Sequence, residues 1–341
     1  MARLTHTYPG MGAREAKRVL PALVGEVSGG ARTDIALVGC GLTTVPEALR
    51  GLTGLRRLDL SGNRITSVPA WLGELSGLDV LDLRGNRLAE LPDELAGLAR
   101  LRVLDLGHNR LATLPGAVSR LTGLDFLKVD GNRLAALPDA VAGLTGLSWL
   151  DARHNRLKVL PAALRGMGRL DYLDLAGNAL ATVPDSIGAL SGLSILDLSR
   201  NRLATLPDAI GGLTRLKVLR LADNQLTALP PAVCRLAGLE ALVVSHNRLT
   251  TVPEAIGALT KLVKLDLSDN LLDGTPGVLA DLPELAVLEL DGNPGHPTRP
   301  PPYELPETAG RSELSSLSSA ALWAGRAPRE ERTASTPTRT P

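Results

Sequence analysis

Aromatic side chains are scarce in this sequence, seven in 341 residues. Its interior must therefore be aliphatic, and leucine is the residue available to fill it. Cysteine is scarcer still: Cys40 and Cys234 stand alone, which gives neither a disulfide framework nor a zinc-ligand spacing. A charge excess is also missing, since 37 basic residues meet 36 acidic ones for a net +1. Nucleic-acid binding calls for a basic surplus with aromatics interleaved, so that class of partner is not expected. No apolar run approaches the ~20 residues of a membrane helix. The N-terminal VLPALVG is short and broken by Pro21, unlike the apolar centre of a signal peptide. Phosphate-binding loops, nucleophile elbows, HExxH and kinase signatures are absent as well, so no enzyme, cofactor or metal is expected.

What the chain has is metre. All its asparagines fall on one lattice, Asn63, Asn86, Asn109, Asn132, Asn155, Asn178, Asn201, Asn224, Asn247, Asn270 and Asn293, 23 residues apart without insertion. Cys40 holds the same place one step earlier, and proline follows six residues after each site from Pro46 to Pro276. Fixed periods of this size mark stacked repeats and override any domain count based on length. Within residues 55–77 the pattern Leu58-x-Leu60 has the two-residue period of a strand with one face buried. After Pro69, apolar residues three apart suit a 3₁₀ or tight helical turn. One such unit cannot bury its own leucines, so units must stack and share an elongated core.

The motif LxxLxLxxNxL, as in LRRLDLSGNRI (55–65) and LDVLDLRGNRL (78–88), resembles that of the leucine-rich repeat proteins. With its LPxxLxxL continuation it is similar to the 23-residue class of Ras-suppressor-like, scribble-like and Roco proteins, over residues 32–295. The resemblance implies an α/β solenoid, a curved horseshoe with a concave parallel sheet and short turns on the convex side. It also implies a protein-binding role, intracellular residence in the cytoplasm, and regulation of a small GTPase or kinase. The cysteine-rich caps of extracellular members are missing, and no asparagine lies in an N-x-Ser/Thr sequon. Cys40 is a substitution that the family tolerates at its asparagine. The excess of arginine over lysine, 31 to six, points to a GC-rich bacterial gene.

Three segments follow. Residues 1–31 carry an amphipathic cap at 11–27, and residues 32–295 hold eleven units plus a partial one. Residues 296–341, rich in proline, serine, threonine and arginine, read as a disordered tail. Within the tail, 312–325 hints at a helix that either docks as a cap or binds a partner.

Function is expected in columns that the sheet turns to water, because equivalent positions of successive strands lie about 4.8 Å apart. Four residues before each asparagine the column runs Asp59, Asp82, Asp105, Lys128, Asp151, Asp174, Asp197, Arg220, Val243, Asp266 and Glu289. Its acids read either as solvated or ion-paired consensus chemistry, or as a stripe selecting basic partners. Directly after the asparagines stand Arg64, Arg87, Arg110, Arg133, Arg156, Arg202 and Arg248, expected to form weak rim ion pairs. His108, His154 and His246 share the position just before the asparagine, but units two apart are ~10 Å apart, too far for one metal.

Six residues before the asparagines, three aromatics occur in succession: Phe126, Trp149 and Tyr172. They alternate with buried leucines and should form a patch about 10 Å long on the concave face. Lys128, Asp130, Asp151, Arg153, His154 and Asp174 surround it. An aromatic centre rimmed by charge is the composition of a binding hot spot, while cross-strand stacking is the purely structural alternative. Val129 and Ala152 replace core leucines beneath, and a locally loosened or shifted sheet is expected there. The sequence thus suggests a scaffold gripping a protein or peptide. An exported host-directed effector is the alternative, and self-association through the aromatic patch is a further possibility.

Overall fold

A computed structural model describes residues 12–162 and 164–296. The expectations for the tail and for its 312–325 segment therefore lie outside the described residues. Among these residues, twelve three-residue strands run from β1 (Asp34–Ala36) to β12 (Val287–Glu289), each beginning 23 residues after the last. All pair parallel in one open sheet in sequence order. The register is fixed by homology of position: Leu104 of β4 (Val103–Asp105) lies opposite Leu81 of β3 (Val80–Asp82) and Leu127 of β5 (Phe126–Lys128). In β6 (Trp149–Asp151) and β7 (Tyr172–Asp174), Leu150 and Leu173 continue the row.

Each strand is short because its hydrogen-bonding run is interrupted by a left-handed residue. The position before every lattice site has positive φ, glycine at Gly39, Gly62, Gly85, Gly131, Gly177 and Gly292. At the other six units a side chain tolerates it, with His108 and His154 both at φ 53°. The chain then turns, and the asparagine behind that turn is buried in nearly every unit. Asn109 shows the arrangement: its Nδ2 donates to the Leu106 carbonyl in its own unit and the Leu83 carbonyl in the previous one, both at 3.0 Å. Its Oδ1 accepts from the Leu88 N–H at 3.0 Å. The same three-way bonding recurs from Asn63 to Asn293. One amide thus satisfies donors and acceptors of two adjacent units. Where Cys40 stands instead, its thiol reaches only the Val38 carbonyl at 3.6 Å.

The lattice prolines start the return segments. Pro115 precedes the 3₁₀ turn Gly116–Arg120 with φ −63° and ψ 143°, and its carbonyl accepts from Val118. A ring-fixed φ suits that junction, and the first turn needs no donor from proline. Consecutive turns approach so closely that a Cβ on Gly73 would collide with the Glu94 carbonyl. Cys234, one of the residues equivalent to Gly73, is accordingly a small packed side chain, 6% exposed. Two turns are shorter, three residues each: Glu47–Leu49 in the first unit and Arg165–Met167 in the unit after Asn155.

Leucines of all units merge into one continuous aliphatic core. At its N-terminal end α1 (Ala13–Ser28) contributes Ala16, Leu20, Leu23 and Val27 from one helical face. At the other end β12 is the last strand among the described residues, and Leu288 is 38% exposed where Leu265 is fully buried. The shift expected at Val129 and Ala152 does not occur. Both are fully buried, and β5, β6 and β7 keep their register. The backbone explains this: Val129 N–H donates to Asp151 at 2.8 Å and Ala152 N–H to Asp174 at 2.9 Å, whatever the side chain.

Replacing Asn155 by alanine removes its acceptor for Leu134 N–H and its donors to the Val129 and Ala152 carbonyls. Buried groups left unpaired cost roughly 1–3 kcal/mol each, so a local loss of about 3 kcal/mol is expected. Amide exchange at Leu134 should then accelerate by about 100-fold, since 1.4 kcal/mol is a factor of ten. Unchanged exchange would show that the ladder does not hold the units together.

Candidate binding surface

Side chains alternate across each strand, so the residues flanking Leu127, Leu150 and Leu173 stand on the opposite side from the core. Phe126, Trp149 and Tyr172 are direct register partners on three consecutive strands. Trp149 and Tyr172 stack with centroids 3.5 Å apart and planes within 7°, while Phe126 and Trp149 are tilted by 32° at 6.2 Å. All three rings are half-buried, shielded by one another and by their neighbours. Val103 and Ile195 extend the apolar column on either side.

In the next column the acids expected to be solvated are largely buried, while the ion pairing expected of them does occur, as in Arg84–Asp82, Arg153–Asp151 and Arg220–Asp197. Asp82 and Asp105 are each 1% exposed, Asp151 3% and Asp174 4%. Strands this close leave each carboxylate walled in by the same position of its neighbours. Burial is offset by a local bond: the Oδ1 of Asp105 accepts from Gly107 N–H at 2.9 Å, and that of Asp174 from Ala176 N–H at 2.9 Å. Asp59, Asp82, Asp151, Asp197 and Asp266 do the same two residues on. The aspartates therefore cap the strand ends as Asx turns, a role independent of any partner.

Around the rings, Tyr172 Oη donates to Asp174 Oδ2 at 3.1 Å. Arg153 bridges two strands, 3.5 Å from Asp151 and 3.7 Å from Asp174. Lys128 Nζ lies 4.0 Å from Asp105 Oδ2, and the buried Asp130 has His108 Nε2 3.2 Å away. Burial, reinforced by Asp130 and Asp174, pushes the Asp151 carboxyl up to about 7. Asp82 is likewise pushed up to about 7, by burial and then by Asp105. Burial beside Asp174 raises the Tyr172 phenol, which stays protonated as the donor.

Of the residues singled out from sequence, the three rings, Lys128, Asp151, Arg153 and Asp174 come together, with Asp130 just past the end of β5. His154 stands apart: it is exposed, and its ring lies over Gly177 in the next unit. The histidines share their column because that position is left-handed, a conformation histidine tolerates better than most residues. Glycine at half of the units was the signal for it. The rim ion pairs expected of Arg64, Arg87, Arg110, Arg133, Arg156, Arg202 and Arg248 do not form. These side chains are exposed, and the ion pairs among the described residues involve other arginines. Among the described residues no group of three or more His, Cys, Asp or Glu side chains could hold a metal ion, and no helix is long and apolar enough to cross a membrane.

The raised carboxyls make stability depend on pH. Their folded values lie near 7, above the unfolded value of about 3.9, so the folded state binds protons more tightly. This contribution is complete below pH ~4 and is lost as pH rises through 7. The urea midpoint should therefore fall between pH 5 and pH 8. Asp151→Asn, which keeps the cap acceptor, should flatten part of that slope; an unaltered slope would mean Asp151 titrates normally.

The leucine rich repeat family profile matches residues 35–88, 76–134, 181–226, 214–272 and 237–294. No functionally curated protein matches the sequence. Among solved structures, a leucine-rich repeat protein of Leptospira interrogans is 30% identical, with TM-score 0.74 over 80% of this chain and 75% of that one. The leucine-rich effector YopM of Yersinia pestis is 27% identical, with TM-score 0.67 over 84% and 73% of the two chains. The TDR receptor is 30% identical with TM-score 0.72, and the match covers 80% of this chain but 49% of the receptor. Stacked 23-residue units, the asparagine ladder and these matches together place the chain in the leucine-rich repeat family.

Proposed function

We propose that the protein is a non-enzymatic interaction scaffold that takes a protein or peptide partner on the water-facing side of its sheet. Leucine-rich repeat proteins generally act in protein–protein interaction. The observation that carries the reading is the placement of three of seven aromatics side by side on that face, where the core gains nothing from them. Phe126, Trp149 and Tyr172 supply the apolar centre, and Lys128, Asp130, Asp151, Arg153 and Asp174 the charged surround, with His154 at the edge. Contiguous apolar area rimmed by charge is what desolvates a partner at low entropic cost. We place the protein in the cytoplasm, binding a signalling partner. The similarity to the Yersinia effector supports a second reading, an exported effector, which appearance of the chain in culture medium would favour.

Trp149→Ala should weaken partner binding by more than about 2 kcal/mol, the usual hot-spot threshold. Its cost in stability should be smaller, roughly 0.5–1.5 kcal/mol for the lost stacking. The check is a pull-down comparing the intact chain with Trp149→Ala, followed by titration of the partners that differ. A variant that loses stability and keeps its partners would reduce the rings to sheet reinforcement.

A further inference from the structure

From the geometry beside the rings, we infer that the partner presents a lysine or arginine next to an apolar residue, with the cation entering an acidic notch formed by Asp82, Asp105 and Asp130. This rests on the docking role proposed for the aromatic face and adds the chemistry of what docks.

The notch lies across β3, β4 and the end of β5. Asp82 and Asp105 are register partners on adjacent strands. Asp130 leans over Gly107, where a Cβ would stand 2.5 Å from Asp130 Oδ1 and 3.2 Å from Asp105 Oδ1. Glycine at that position therefore lets the two carboxylates converge. In both Asp82 and Asp105 the Oδ1 is occupied by its strand-end cap, while Oδ2 is buried and has no hydrogen-bond donor. Buried acceptors without donors are costly and rare in folded chains. The cations nearby do not fill this need: Arg84 Nε is 3.3 Å from Asp82 Oδ2 outside hydrogen-bonding geometry, and Lys128 Nζ is 4.0 Å from Asp105 Oδ2.

Arg84 is a long, flexible side chain, 43% exposed, and it can yield to an incoming donor. Phe126, one strand from Asp105 and on the same strand as Lys128, begins the aromatic column. The stacked faces of Trp149 and Tyr172 cover each other, so the stack offers its edges outward. A cation gains little from ring edges, whose quadrupole is positive. The rings thus suit the apolar neighbour and the stem of the basic side chain, while the carboxylates take its head.

The test is a random twelve-residue peptide library displayed on phage and selected against the full chain. Enriched peptides should carry Arg or Lys within a few residues of an aliphatic or aromatic residue. Their affinity should drop about tenfold or more on Asp105→Asn/Asp130→Asn, and again on raising salt, as for a charge-steered contact. Asparagine keeps the acceptor that caps Gly107, so the variant should fold, and its circular dichroism melt verifies this. Enrichment without basic residues, or affinity unaltered in the double variant, overturns the inference while loss of binding on Trp149→Ala leaves the docking role standing. Failure to enrich any peptide, or peptides indifferent to Trp149→Ala, overturns both. A dimer of the free chain that Trp149→Ala breaks would assign the face to a second copy and also overturn the inference.

Discussion

The structure depends on one exchange of hydrogen bonds: each lattice asparagine satisfies the backbone of the unit before it while closing the turn of its own. Neither unit is complete alone. Spacing therefore cannot drift, because a single inserted residue would strand two carbonyls and an amide at the joint. The aliphatic core supplies most of the driving force, but it is indifferent to register among so many leucines. The amide ladder is directional, and it brings like positions opposite one another.

That register is why columns exist at all. Where the chain places three aromatics 23 residues apart, they must meet, and Trp149 and Tyr172 do so in a parallel stack. Where it places aspartates 23 residues apart, they must meet as well. Two carboxyls are pushed to about 7 by burial together with like-charged neighbours. Local caps make this tolerable, Lys128 and Arg220 break the run on the strands where they fall, and Arg153 pairs with Asp151 and Asp174. The surface beside the rings is thus shaped by the same repetition that builds the core.

Much of this was legible in the sequence. The asparagine and proline beats located each turn, and strict alternation around Leu127, Leu150 and Leu173 put the rings on the open side of the sheet. What was not legible came from the third dimension. Asp82 and Asp105 look solvated in a strand considered singly, and only parallel neighbours on both sides bury them. The residue before each asparagine hid its left-handed backbone behind a mixture of glycine, histidine, arginine and aspartate. Val129 and Ala152 suggested a distorted sheet because side-chain volume was weighed ahead of backbone pairing, which holds the register without them. The rim arginines invited ion pairs by sequence proximity, yet they are exposed and the acids pair with other side chains.

Whether the rings meet water decides the account. Trp149 can be observed alone in a chain carrying Trp71→Phe and Trp323→Phe, by quenching of its fluorescence with acrylamide. A half-buried indole on the outer side of the sheet should be quenched at a rate between those of free and fully buried tryptophan. Emission that acrylamide cannot reach would put the ring inside the leucine core and remove the surface on which the functional reading stands.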